Sequence, residues 1–253
     1  MLRFMTRLVV FAMAAAVFTS GRSALAQEAR PREGQVQVAD AALWELGRMT
    51  PRLLHEAVEK LASDPRAAHD AAVHAASILE LQSALGRGGP EGERVAREAA
   101  AIRTAAAQIA RRQVLDREEL GVTFAGAALA AAALHHHAAE QALSGGDERV
   151  AVVTVQGAAD HLAAAQVLGE LEPSSAATRA IAGAHALAEG GARPAAAGAG
   201  GMQRLVADLG QAIRAASAEV AEEQAEAGEG EEEEKDRDKD GGGRRRGRGR
   251  GGR

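Results

Sequence analysis

The histidines are the residues of this chain whose type and placement could support chemistry. Neutral imidazole binds zinc, copper and nickel, and its unperturbed pKa lies close to neutrality. All eight fall on segments whose pattern predicts α-helix: His55, His69, His74, His135, His136, His137, His161 and His185. A metal-binding helical protein is therefore one function that the sequence suggests.

A metal site can be assembled from four of these positions. His136 and Glu140 are four residues apart, so they share one face of a helix. A carboxylate at this spacing can bind the same metal or hold the imidazole by a hydrogen bond. His74 and His161 lie on apolar helical rows and could meet His136 inside a bundle, where facing helices build metal sites. The metal hypothesis names His74, His136, Glu140 and His161 as ligands, and its alternative is a set of separate surface or half-buried histidines.

Two missing residue types exclude several kinds of chemistry. The 253 residues include no cysteine and no tyrosine. Disulfides, thiolate zinc sites, iron–sulfur clusters and thiol nucleophiles are therefore excluded. The sequence also has no G-x-S-x-G elbow, no P-loop and no G-x-G-x-x-G motif after a strand. We predict a protein that is not an enzyme, with no catalytic residues and no cofactor other than a transition metal.

The first 26 residues have the three parts of a secretory signal peptide. Two arginines precede an uncharged, mostly apolar run over residues 8–18, and Ala24 and Ala26 are small residues at the positions that a signal peptidase reads. The run is shorter than the ~20 residues that span a membrane, so we expect cleavage rather than anchoring. The mature chain would begin at Gln27, in the periplasm or outside the cell. Loss of three arginines changes the net charge from −5 to −8.

The chain from residue 39 to residue 228 is predicted to be helical. Thr50 and Asp64 each precede a proline, a pattern typical of helix starts, and glycine pairs follow two of the predicted helices. Apolar residues recur between them at spacings of three and four. Short turns between long helices favour antiparallel neighbours. The main predicted helices cover residues 65–85, 90–113, 116–143, 148–171, 173–189 and 202–227.

The fold class expected from this pattern is all-α. We predict an antiparallel helical-hairpin bundle of about six to eight helices with an alanine-rich core. Residues 150–155 are β-branched enough to fit a strand, but the absence of a partner strand favours helix. The flanking segments are a flexible leader over residues 27–38 and a Gly/Ala linker at residues 190–201.

Residues 229–253 form a separate charged tail in the sequence. They contain no aliphatic or aromatic side chain, so they cannot bury a core and are predicted to be disordered. An acidic run is followed by arginines spaced by glycine, which could bind the phosphates of a polyanion. The candidate contacts are Arg244, Arg245, Arg246, Arg248, Arg250 and Arg253. The alternatives are a solvating tail, or self-association through the basic end and an acidic surface.

Together these features predict an exported, non-enzymatic structural or interaction module of the cell envelope. Its expected partner is an envelope protein or a second copy of the chain, and the mature chain is expected to lack a transmembrane span. The first alternative is a metal-binding or metal-buffering bundle that uses the four residues named above. The second is attachment to an anionic polymer through the arginine tail.

Overall fold

The computed structural model describes residue 42 and residues 44–85, 89–111, 116–189 and 198–241. Within these ranges the chain forms seven α-helices, preceded by one helical turn at residues 44–47. The helices are α1 (Thr50–Lys60), α2 (Pro65–Leu85), α3 (Pro90–Ala110), α4 (Arg117–Gly145), α5 (Glu148–Leu168), α6 (Ser175–Glu189) and α7 (Gly198–Gly241). The predicted all-α bundle is confirmed. Residues 150–155 are helical, as part of the first turns of α5.

Three of the sequence predictions lie outside the described residues. They concern the signal peptide over residues 1–26, the leader over residues 27–38 and the arginine-rich end of the tail, residues 242–253. Most of the Gly/Ala linker, residues 190–197, is also outside them. The remaining linker residues 198–201 are helical and form the first turn of α7, so that part of the linker prediction was wrong.

The last helix is longer than its apolar pattern predicts. The sequence predicted helix over residues 202–227, whereas the helical backbone of α7 continues to Gly241. The added segment contains Glu231 four residues before Lys235 and Glu233 four residues before Arg237. Pairs at this spacing each stabilise a helix by about 0.2–0.5 kcal/mol. This added segment contains no apolar side chain, so the spacing of opposite charges in its sequence, rather than hydrophobic burial, favours its helical backbone.

Helix α4 is the centre of the bundle, in contact with α1, α3, α5 and α7. Residues 124–132 are nine consecutive buried positions, so this helix is surrounded on all sides. Phe124 is the largest fully buried side chain, and seven of the nine residues are alanine or glycine. Small side chains let the neighbouring helices approach α4 closely.

The helix starts were mostly predicted correctly. The carboxylate of Asp116 accepts a hydrogen bond from the amide of Glu118 at the start of α4, and Asp147 accepts one from Val150 at the start of α5. The same arrangement occurs at Asp64, before α2. Thr50 is an exception, because it is the first residue of α1 and its buried hydroxyl makes no hydrogen bond within the described part of the chain.

In the described ranges, none of the helices combines the length and the apolar content that a membrane crossing requires.

The closest approach between α4 and α5 depends on a glycine. A Cβ atom added to Gly121 would overlap the main-chain oxygen of Leu168. We expect Gly121→Ala to destabilise the protein by about 1–3 kcal/mol, because the two helices must separate. Gly200→Ala is the control, since Gly200 is also helical but has no atom within 4 Å of the added Cβ. Urea unfolding followed by circular dichroism measures the free energy of unfolding of both variants. A Gly121→Ala variant as stable as the Gly200→Ala variant would contradict this close approach.

Candidate functional site

Two histidines lie inside the bundle between α4 and α5. His135 on α4 and His161 on α5 are both fully buried. Their ring centroids are 5.2 Å apart and their planes are tilted by 43°. Because buried polar atoms normally have hydrogen-bond partners, and three of the four ring nitrogens have none among the described residues, this pair is an unusual chemical feature of the bundle.

Two other side chains surround His135. Nε2 of Gln82, on α2, donates a hydrogen bond to Nε2 of His135 at 2.8 Å. This bond leaves the proton of the neutral His135 ring on Nδ1. The indole of Trp44 packs edge-on against the same ring, with a centroid distance of 4.7 Å and an interplanar angle of 64°. The site therefore joins α2, α4, α5 and the helical turn at residues 44–47.

Glycines provide the space for the imidazole of His135. A Cβ atom at Gly157 would overlap the Nδ1–Cε1 edge of the ring, and one at Gly47 would overlap the amide of Gln82. The same added Cβ at Gly47 would lie 3.1 Å from Nε2 of His135. Glycine in a helix costs up to about 1 kcal/mol relative to alanine. In a chain rich in alanine, these two glycines are explained by the side chains packed against them.

Several polar atoms of this cluster have no hydrogen-bond partner. Among the described residues, none pairs with Nδ1 of His135, with Oε1 of Gln82 or with either ring nitrogen of His161. A buried polar atom that loses its partner costs about 1–3 kcal/mol. These unpaired atoms therefore lower the stability of the folded state, and they are concentrated in this one cluster.

Burial holds both imidazoles in the neutral form. Desolvation lowers the pKa of His161 to about 4, while the nearby Asp160 carboxylate and the main-chain oxygen of Gly47 act in the opposite direction. The Gly47 oxygen acts by proximity, since it does not form a hydrogen bond of normal geometry with the ring. Desolvation also lowers the pKa of His135 well below its usual value, and the charges of His161 and Arg48 add to that effect.

A charged network closes the outer side of the cluster. Nε of Arg48 donates to Oδ2 of Asp160 at 2.9 Å, and its Nη1 donates to Oε1 of Gln156 at 3.2 Å. The other oxygen of Asp160 accepts a hydrogen bond from Nε2 of His185 at 3.0 Å. This network ties the segment that carries Trp44 and Gly47 to α5, and connects α5 to α6.

The structure does not bring the four predicted metal ligands into one group. His74 is exposed on α2, whereas His161 is fully buried. His136 donates from Nε2 to the carbonyl of Val206 on α7 at 2.9 Å, and its Nδ1 lies 3.9 Å from Oε2 of Glu140. Of the four predicted ligands, only His136 and Glu140 are close enough to bind the same metal ion. In the ranges that the structure covers, no group of three or more His, Asp or Glu side chains is arranged to hold a metal ion.

The other histidines each have an ordinary local partner. His69 donates from Nδ1 to the carbonyl of Ala106, which joins α2 to α3 at 2.9 Å. His55 pairs with Glu59 at 3.1 Å on the exposed side of α1, and His137 lies 3.8 Å from Glu140. These contacts agree with the alternative that treats most of the histidines as separate side chains.

The sequence favoured His136 within the histidine run, but His135 is the residue whose side chain is fully buried in the core. Three consecutive residues of a helix point in three directions about 100° apart. The apolar residues of α4 surround most of the helix, so their pattern did not show which of the three is buried, and His136 was preferred for its spacing to Glu140. The glycines at 47 and 157 were the available signal, because each marks a place where a neighbouring side chain needs the room of a missing Cβ.

An open cleft of about 590 Å³ lies elsewhere on the bundle. Carboxylates from several helices surround it: Glu59, Asp116, Glu118, Glu170, Glu219, Glu222 and Glu223. The same wall includes Val167, which is 63% exposed. The cleft is strongly acidic and presents a small apolar surface.

Comparison with known proteins provides no further identification. No family model, no curated protein and no solved structure matches this chain.

The buried histidines make stability depend on pH. His161 titrates near 4 in the folded protein and near 6.5 when unfolded, so between these values the unfolded chain takes up a proton that the folded chain does not. The stabilisation is complete above pH 6.5 and declines as the pH falls towards 4, by roughly 3 kcal/mol for His161. Urea unfolding at pH values from 7.5 to about 4.5 measures this loss.

Two variants isolate the contribution of His161. His161→Leu should reduce the loss of stability on acidification, because no buried imidazole remains at that position to be protonated. His137→Gln is the control, since the side chain of His137 is 44% exposed rather than buried. A His161→Leu variant as acid-sensitive as the parent protein would contradict this explanation.

Proposed function

We propose that this protein is an exported, non-enzymatic helical bundle that acts as a structural or interaction module of the cell envelope. The observation that carries this proposal is the length of α7. Its last buried residue in the described part of the chain is Val220, and its helical backbone continues to Gly241. At 1.5 Å per residue, those 21 residues add about 30 Å of helix.

The sequence of this extension favours interaction over core formation. From residue 229 onward the chain has only charged residues and glycine, first mostly acidic and then basic. Such a segment cannot stabilise the bundle by hydrophobic burial. Separated blocks of opposite charge suit a role in binding charged partners, with an affinity that salt weakens.

The acidic cleft supports a specific kind of partner. Glu219, Glu222 and Glu223 bring α7 to this cleft, where carboxylates of other helices also lie. The arginine block over residues 244–253 has the opposite charge. We propose that the bundle binds a basic segment at this surface, supplied by an envelope protein or by a second copy of the chain.

The proposal of a non-enzymatic role is supported by the state of the histidines. The two in the core are held neutral by burial and are closed off behind Trp44 and Arg48. His136 uses one nitrogen to bind a main-chain carbonyl. None of these arrangements pairs an accessible nucleophile with a base in the described ranges.

The charged extension should determine association. The chain ending at residue 228 is expected to sediment as a smaller species than the full chain at low ionic strength, because it lacks the arginine block. A full-length variant with Gln at all six of the arginines from Arg244 to Arg253 is the matched control, and it should behave like the truncated chain. High salt should reduce association of the parent protein.

One experimental outcome would contradict this proposal, and another would favour a different function. Sedimentation that is unaffected by truncation, with no loss of a bound envelope protein, would contradict it. Retention on heparin that depends on the same arginines, without self-association, would favour attachment to an anionic polymer instead.

Export is tested independently at the amino terminus. The protein recovered from the envelope or the medium is expected to begin at Gln27, which N-terminal sequencing and intact mass both measure. Ala26→Asp should block cleavage, because signal peptidase requires a small residue before the cut. Ser23→Asp is the control at a neighbouring position outside the two small-residue sites. A cytoplasmic protein that retains Met1 would contradict export.

A further inference from the structure

We propose that the buried pair His135 and His161, together with Gln82, binds a single copper ion in the Cu(I) state. This site is different from the surface pairing of His136 with Glu140, and it goes beyond the role in the envelope. The proposal rests on four observations: unpartnered donor atoms, the spacing of the rings, the room left by a glycine, and the charge of the surroundings.

The donor atoms are buried and available. In the part of the chain that the structure describes, both nitrogens of His161 and the side-chain oxygen of Gln82 have no hydrogen-bond partner. Nε2 of His135 accepts only from the amide of Gln82, so its lone pair already points towards that side chain. A half-turn of the Gln82 amide would present Oε1 in place of its nitrogen. One cation could thereby satisfy polar atoms that the folded chain otherwise leaves without a partner.

The spacing of the two rings fits a shared ion. Two imidazoles that bind one ion through bonds of about 2 Å, at an angle between about 90° and 180°, have centroids about 4.5–6.3 Å apart. The observed distance between His135 and His161 is 5.2 Å. The observed ring separation therefore lies within the range for a shared ion with the helices in their present positions.

The missing side chain of Gly47 leaves room for the Gln82 amide beside His135. A Cβ atom there would overlap that amide and come within 3.1 Å of Nε2 of His135. The main-chain oxygen of Gly47 is also close enough to His161 to influence its ring. A side chain at position 47 would therefore displace the amide of Gln82 and crowd Nε2 of His135.

The charges around the site favour a monovalent ion. The proposed donors are all neutral, and neither a thiolate nor a carboxylate binds either ring directly. A divalent ion would bring two uncompensated charges into the core, and such charges are strongly unfavourable there. Asp160 lies near enough to favour one positive charge beside His161, while Arg48 opposes additional charge at His135. Imidazole is a suitable ligand for copper, and Cu(I) carries a single charge.

Trp44 provides a direct signal for occupation of the site. It is the only tryptophan of the chain, and its ring centroid is 4.7 Å from that of His135. A cation beside His135 would therefore change its fluorescence. The same aromatic ring can also stabilise a nearby positive charge.

The test is an anaerobic titration of the full chain with Cu(I) in the presence of the chelator bathocuproine disulfonate. We expect the protein to remove one equivalent of Cu(I) from the chelator, with a change in Trp44 fluorescence that is complete at the same ratio. Zn(II), titrated separately, should bind the site much more weakly. Failure of the folded parent protein to compete for Cu(I), or Zn(II) binding of equal strength at this site, would overturn the proposal.

Two variants at one position separate a metal ligand from a packing residue. Leucine and methionine have nearly the same volume, but only methionine has a sulfur atom that binds Cu(I). His161→Leu should weaken Cu(I) binding by more than about 100-fold, the upper range for loss of an outer-shell partner. His161→Met should retain most of the binding. His55→Leu and His137→Leu are controls for exposed histidines, and neither should change the Trp44 signal.

The same variants can also give results that contradict the copper site. Circular dichroism establishes that each variant folds before it is titrated. Equal Cu(I) binding by the Leu, Met and parent proteins would show that surface histidines hold the ion, and would overturn the proposal. If His161→Leu does not fold, the parent titration and the Met variant decide the question. A Met variant that folds but neither binds Cu(I) nor changes the Trp44 signal would overturn it as well.

Discussion

The structure depends on close contact between helices that carry very small side chains. Alanine and glycine around α4 allow neighbouring helices to approach until main-chain atoms meet, as Gly121 and the oxygen of Leu168 do. At two of these contacts an imidazole fills the space that a missing Cβ leaves on the opposite helix. His135 lies against Gly157, and His136 lies against Gly210 in the same way. The positions of the imidazoles are thus set by the glycines across from them.

This constraint explains why polar groups occupy the core without adequate partners. The ring of His135 is confined by α5 on one edge and by the Gln82 amide on the other, so it cannot turn freely towards water. Its neighbour His161 is confined within the same space. The network of Arg48, Asp160 and His185 lies at the rim and compensates for part of this arrangement, because it joins three segments by charged hydrogen bonds.

The sequence alone was sufficient to predict the helices but not to identify the buried histidine site. The bounds of α2 were predicted to the residue, because Asp64 and Pro65 mark its start and a glycine-rich sequence follows Leu85. The carboxyl end of α7 was predicted too early, since apolar spacing does not report a helical segment that consists of charged residues and glycine. The sequence favoured His136 for its spacing to Glu140 and did not identify His135 as the buried histidine, because the alanine-rich sequence of α4 gives little contrast between a buried face and an exposed one.

The pairing of each ring with a glycine also has a consequence for how this protein can change over evolutionary time. At most helical positions of an alanine-rich chain, glycine and alanine exchange at small cost. Position 157 is not such a position while His135 faces it, and position 47 is tied to Gln82 in the same manner. A lineage that loses the imidazole at 135 would be released from the requirement for glycine at 157, whereas the reverse order of substitutions passes through a destabilised intermediate. The two positions therefore form a one-way path, in which the large residue must be replaced before the small one.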